Sequence, residues 1–230
     1  SYIARTRRRL EQPMIRCHLI DKIMTNPRSK TEFWSETAKG AMMEMVRENL
    51  FGVRKSLDDV KAVQKGLACE DAGIQMYNDV FMYDLKKVLD ADRRNNGIIS
   101  GVPDLVAVSS KKGVDIKIAY SLLTFPLTSD DCDKKGYEWQ ARGYMCLFDV
   151  PTWEIAYCAI DTPESLLRDW DDRSIHIIDQ AIPMHHRITV ARYERDLEIE
   201  AEMLARCKAA NAWIENATRQ FAVEHDAYIK

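Results

Sequence analysis

The chain has 230 residues, 46% of them hydrophobic and 30% charged, with a formal net charge of −3. That is long and apolar enough to bury a full core, and no repeat or low-complexity stretch interrupts it, which excludes a disordered or solenoid protein. No apolar run approaches the ~18 residues of a membrane span, and the arginine-rich start lacks the apolar stretch of a secretion signal, so a cytoplasmic, soluble protein of one α/β domain over residues 1–230 is expected.

Residues 1–15 read as a basic arm carrying Arg5, Arg7, Arg8 and Arg9. Residues 1–30 hold eight Lys/Arg against Glu11 and Asp21, a net +6 that leaves −9 for the remainder. Such segregation suits a polyanion and predicts steep salt dependence, although Arg7-Arg8-Arg9 reads equally well as a solvated tail. In Asn26-Pro27-Arg28-Ser29-Lys30 the proline breaks helix and leaves an arginine, a hydroxyl and a lysine on a turn, a combination suited to gripping a phosphate and otherwise an ordinary basic turn.

Ser56 to Tyr83 has helical periodicity, with Val60, Val63, Leu67, Ile74, Tyr77 and Phe81 as its apolar stripe. Glu70 lies close to that stripe, where an unpaired carboxylate would be costly to bury. Next come two short strand-like runs, Leu105–Val108 and Val114–Ile118, separated by Ser-Ser-Lys-Lys-Gly, the composition of a hairpin. Asp104 opens the first strand after Pro103, a residue tolerated at strand starts. Side chains alternate along a strand, so Asp115 and Lys117 share a face and Ile116 takes the other. If the hairpin pairs as read, Asp104 approaches Asp115. Two ionised carboxylates held close repel, and a hard divalent cation, Mg²⁺ or Mn²⁺, relieves the repulsion. The plain alternative is an edge strand with surface charges.

Tyr137 to Phe148 reads as a helix that places Tyr137, Gln140 and Tyr144 on one face. Tyr193 to Phe221 reads as a long amphipathic helix through Leu197, Leu204, Ala205, Trp213 and Ile214. The six cysteines form no C-x-x-C pair, which speaks against a zinc ribbon or an iron–sulfur cluster. His185 and His186 are adjacent and diverge on any regular backbone, so they suggest no metal site.

The order Glu70, Gly101-Val-Pro-Asp104, Asp115-x-Lys117 and Gln140-x-x-x-Tyr144 resembles the PD-(D/E)xK nuclease superfamily, and within it the lambda-exonuclease-like (YqaJ-type) phage recombination nucleases. Met24 to Lys30, Gly66 before Glu70 and Thr124-Phe125-Pro126 support the likeness, which covers roughly residues 16–148. Many relatives carry Glu at position 115; either carboxylate serves. Ile118-Ala119-Tyr120 is more apolar than is usual there.

The resemblance implies a restriction-endonuclease-like core, a central mixed β-sheet flanked by helices. It implies that Asp104, Asp115 and the Ile116 carbonyl ligate Mg²⁺, with Glu70 completing the shell directly or through water. Lys117 would orient or deprotonate the attacking water, and Gln140 and Tyr144 would position the DNA backbone and brace the metal site. Arg28, Ser29 and Lys30 would sit near a pocket for a 5′-terminal phosphate, which implies 5′-to-3′ digestion of double-stranded DNA ends. Relatives form a ring-shaped homotrimer and work with a single-strand annealing protein. Two other readings stand beside this one: an endonuclease of the same fold, told apart by its action on closed circles, and a catalytically silent DNA-binding or assembly module.

Overall fold

Short apolar strands and longer helices alternate along the chain. A computed structural model describes residues 13–54, 56–57, 59–107, 111–133 and 136–226, so Arg5 to Arg9 and most of the expected basic arm lie outside the described residues. In chain order the elements are β1 (Ile15–Arg16), α1 (Ile20–Ile23), α2 (Glu36–Phe51), α3 (Lys61–Phe81), β2 (Arg94–Asn95), β3 (Ile99–Gly101), β4 (Leu105–Ala107), β5 (Lys112–Ile118), α4 (Ser129–Asp133), α5 (Glu138–Phe148), β6 (Thr152–Cys158), β7 (Ile188–Glu194) and α6 (Leu197–Asp226). The α/β class, the mixed sheet with flanking helices and the long C-terminal helix agree with expectation. The chain divides into two compact units, one of residues 1–55, 93–101 and 196–230, the other of residues 56–92 and 102–195.

In the first unit β3 pairs parallel with β1 and antiparallel with β2. Ser35 caps α2 by accepting from the Ala38 N–H at 2.9 Å, and Gly52, with φ of 70°, ends the helix in the left-handed conformation. Along α6 the buried positions are Met203, Cys207, Ala210, Ile214 and Thr218, spaced by three or four residues as one helical face requires. The stripe expected through Leu197 and Ala205 is therefore displaced, and Leu197 is exposed. The helix also starts later than Tyr193. Thr189, Val190 and Tyr193 belong to β7, and Asp196 caps α6 by accepting from the N–H groups of Glu198 and Ile199.

The second unit is built on a four-stranded sheet, order β4-β5-β6-β7, in which β5 and β6 run parallel and the outer pairs antiparallel. Val114, Ile116, Ala156 and Cys158 form one face and pack with Ile74 and Tyr77 of α3. Gly73 has no side chain to hold α3 off β5, and a Cβ there would come within 2.7 Å of Ile116 and Ile118. Gly113, Asp115, Lys117, Trp153, Ile155 and Tyr157 alternate onto the other face, where Tyr144 of α5 lies against Trp153 with ring centroids 5.1 Å apart. The stripe expected on α3 is also corrected. Lys65, Cys69, Gly73, Ile74, Tyr77 and Asn78 are buried, while Val60, Leu67 and Phe81 are exposed. The expected hairpin loop is shorter than its composition suggests, since Lys112 and Gly113 already pair with Ala107 and Val106.

Candidate active site

The β4–β5 hairpin assembles the center of the site. One step beyond the Leu105–Val114 pair the antiparallel register sets Asp104 opposite Asp115. Asp104 Oδ2 accepts a hydrogen bond from the Ile116 backbone N–H at 2.7 Å, which fixes the carboxylate at the mouth of the hairpin. Asp115 is 1% exposed, and its Oδ2 lies 2.5 Å from Lys117 Nζ, as two residues apart on one strand face allow.

These charges perturb one another. Burial and the neighboring Asp115, with a smaller push from Glu70, lift the Asp104 carboxyl to about 7 against the opposing effects of Lys117 and the Ile116 N–H. Burial alone would lower Lys117, but Asp115 and Asp104 outweigh it and hold the ammonium above the ordinary lysine range. The two carboxylates thus crowd one lysine.

Glu70 reaches this field from α3, but its nearest partner is a cation: Oε1 lies 3.0 Å from Lys87 Nζ. Lys87 is itself bridged to Leu105 at the start of β4. The cost of a carboxylate near the α3 stripe is therefore met by an ion pair. Gln140 and Tyr144 are both buried; the Gln140 side-chain amide donates to the Tyr144 hydroxyl at 3.3 Å, and that hydroxyl donates to the Val102 carbonyl at 2.9 Å. Val102 stands two residues before Asp104, so α5 braces the segment that presents the carboxylate.

The donor set suits a hard divalent cation. Asp104 and Asp115 are carboxylates already crowded by like charge, a crowding that such an ion relieves. Among the described residues no three His, Cys, Asp or Glu side chains stand together as a metal cluster, and Glu70 is paired with Lys87.

Arg28, Ser29 and Lys30 belong to the first unit and are exposed. The Ser29 hydroxyl is engaged by that of Thr31 at 2.8 Å, and the Glu32 N–H donates to the Ser29 carbonyl at 3.3 Å. The ends of the loop are clamped from α6. Arg206 donates to the carbonyls of Ile23, Thr25 and Phe33 at 2.7, 2.9 and 3.4 Å, and its guanidinium lies over the Phe33 and Trp34 rings. Sequence reasoning missed Arg206 and Lys87, because both act on segments far from them in the chain. All six cysteines lie among the described residues and none forms a disulfide. His185 and His186 lie in an exposed turn.

No protein-family model matches the chain, and no curated protein does. Solved structures do: a phage-related exonuclease from Haemophilus somnus 129PT superposes with a TM-score of 0.84 at 29% identity, over 92% of this chain and 98% of that one. This chain has the fold of a phage-type exonuclease. An alkaline exonuclease from Laribacter hongkongensis, LHK-Exo, shares the fold at 15% identity and a TM-score of 0.64 over 99% of both chains. The LHK-Exo structure in complex with dAMP gives 16% and 0.64 over 97% of each chain. The likeness to a phage-related exonuclease bears out, at the level of the fold, the lambda-exonuclease-like (YqaJ-type) part of the resemblance. No described helix is long and apolar enough to cross a membrane.

Proposed function

We propose that this chain is a Mg²⁺-dependent exonuclease that digests double-stranded DNA ends from 5′ to 3′, releases 5′ mononucleotides and exposes a 3′ strand for phage-type homologous recombination. The observation that carries the reading is the meeting of Asp104, Asp115 and Lys117 in one hairpin, in a chain that resembles a phage-related exonuclease over nearly its full length.

Asp104, Asp115 and the Ile116 carbonyl hold the cation, and Mn²⁺ suits the same oxygen donors. When bound there, the ion supplies Lewis acidity toward a phosphate oxygen and a more acidic water. Lys117, held as its ammonium by Asp115 and Asp104, donates a hydrogen bond to the attacking water, and its charge offsets the negative charge that grows on the phosphate oxygens. Gln140 and Tyr144, buried and bonded to each other and to the Val102 carbonyl, keep the Asp104 segment in place rather than contact the DNA backbone. No side chain becomes covalently attached. Arg28, Ser29 and Lys30 bind the 5′-terminal phosphate, and regripping that group after each cut gives direction. A homotrimeric ring and a single-strand annealing partner belong to the same reading, and light scattering showing a monomer at micromolar concentration would remove the ring.

The test is digestion of linear duplexes labeled at the 5′ or the 3′ end and bearing a 5′ phosphate or a 5′ hydroxyl, with Mg²⁺ or chelator, beside closed circles. The reading requires Mg²⁺-dependent mononucleotide release from 5′ ends, intact circles, and a preference for phosphorylated ends that Arg28→Ala abolishes. Cut circles would replace it with the endonuclease reading. An inert protein that still binds DNA would favor a silent module.

A further inference from the structure

The ammonium of Lys117 has a second neighbor besides Asp115. Its Nζ lies 4.7 Å from the centroid of the Tyr137 ring, inside the range at which an aromatic face attracts a cation. A lysine head on a four-carbon stem samples many rotamers, and one carboxylate contact leaves most of that arc open. A ring face beside the same ammonium narrows the arc.

Tyr137 is itself well held. Gly136, with φ of 79°, turns the chain immediately before it, and the Tyr137 carbonyl accepts from the Ala141 N–H at 3.0 Å as α5 begins. Its ring lies beside that of Tyr157, the centroids 6.2 Å apart and the planes tilted by 58°. Tyr157 stands in register with Lys117 on the neighboring strand. The strand beside the lysine thus packs a ring against the one that flanks the ammonium.

We propose that Tyr137 is a positioning residue for Lys117, its ring face holding the ammonium in the orientation that catalysis uses. The role in catalysis rests on the nuclease reading above; the hold on the ammonium does not. Phenylalanine at this position keeps the ring and leucine removes it. For Mg²⁺-dependent digestion of linear duplex DNA, Tyr137→Phe is expected to stay within about two-fold of the parent and Tyr137→Leu to lose about ten-fold in kcat with KM little changed.

A series of mono-, di- and trifluorinated phenylalanines at position 137 separates charge from shape. The ring keeps nearly its volume while its negative face weakens, so log kcat should fall step by step. A flat series would overturn the proposal, and it decides the matter even if the leucine variant fails to fold. The second readout needs no activity. In metal-free protein the Lys117 Nζ order parameter by NMR should fall in the trifluorinated variant and hold in Tyr137→Phe; equal values would overturn the proposal. If the parent proves inactive while the order parameter falls, the nuclease reading fails and the hold on Lys117 stands.

Discussion

Asp104 shows what the site asks of individual residues. Its carboxyl, lifted to about 7 by burial and by Asp115, binds a proton more readily in the folded chain than in the unfolded one. Between about pH 4 and pH 7 folding stability therefore falls as pH rises, and the full penalty is present above pH 7. Asparagine at 104 can still accept from the Ile116 N–H without the charge. In chelator at pH 8, Asp104→Asn is expected to raise unfolding stability by roughly 2 kcal/mol, with little gain at pH 4. Thermal unfolding at the two pH values checks this, and equal stability of variant and parent at pH 8 would contradict the crowding. The three hairpin residues were legible in the sequence because strand alternation and a local motif place them. The ion pair between Glu70 and Lys87 was not, since seventeen positions and a change of element separate the two residues.

At the scale of elements, the sheet of the second unit depends on a missing side chain. Gly113 stands in register with Trp153, which is fully buried, and a Cβ there would overlap the indole ring. Gly113→Ala is expected to cost roughly 3 kcal/mol or more, as overpacking in a closed core does. Denaturant unfolding measures it; an unchanged midpoint would mean that β5 and β6 do not pack as described. The Arg206 clamp makes a second prediction. Arg206→Met removes the bonds to Ile23, Thr25 and Phe33, so amide exchange at Glu32 should accelerate about ten-fold while exchange along α2 stays slow. Unchanged exchange at Glu32 would show that the loop holds itself.

The elements differed in how plainly the sequence displayed them. Helix α5 and the hairpin show clear periodicities. Strand β6 does not alternate cleanly, because Trp153 to Cys158 is buried on both faces. Helix α2 escaped notice; its apolar residues are mostly alanine and methionine, interleaved with charge. The stripes of α3 and α6 were misplaced for a related reason. Buried positions there include Lys65, Cys69, Cys207 and Thr218, residues that a hydrophobic pattern passes over.

For the whole molecule, a net charge of −3 makes DNA binding a matter of distribution. Part of the positive charge near the start is already committed, since Arg16 is paired with Glu48 at 2.8 Å, whereas Arg28 and Lys30 are exposed. In the function proposed above, the Asp104, Asp115 and Lys117 hairpin is the catalytic center. The measurement that tests it most directly is the initial rate of nucleotide release from linear duplex DNA in Mg²⁺ by the parent, Asp115→Asn and Lys117→Met, each first shown to be folded by thermal unfolding. The parent should be active, chelator should silence it, and each substitution should lower the rate on the order of a thousand-fold. A folded variant that releases nucleotides as fast as the parent would contradict that assignment.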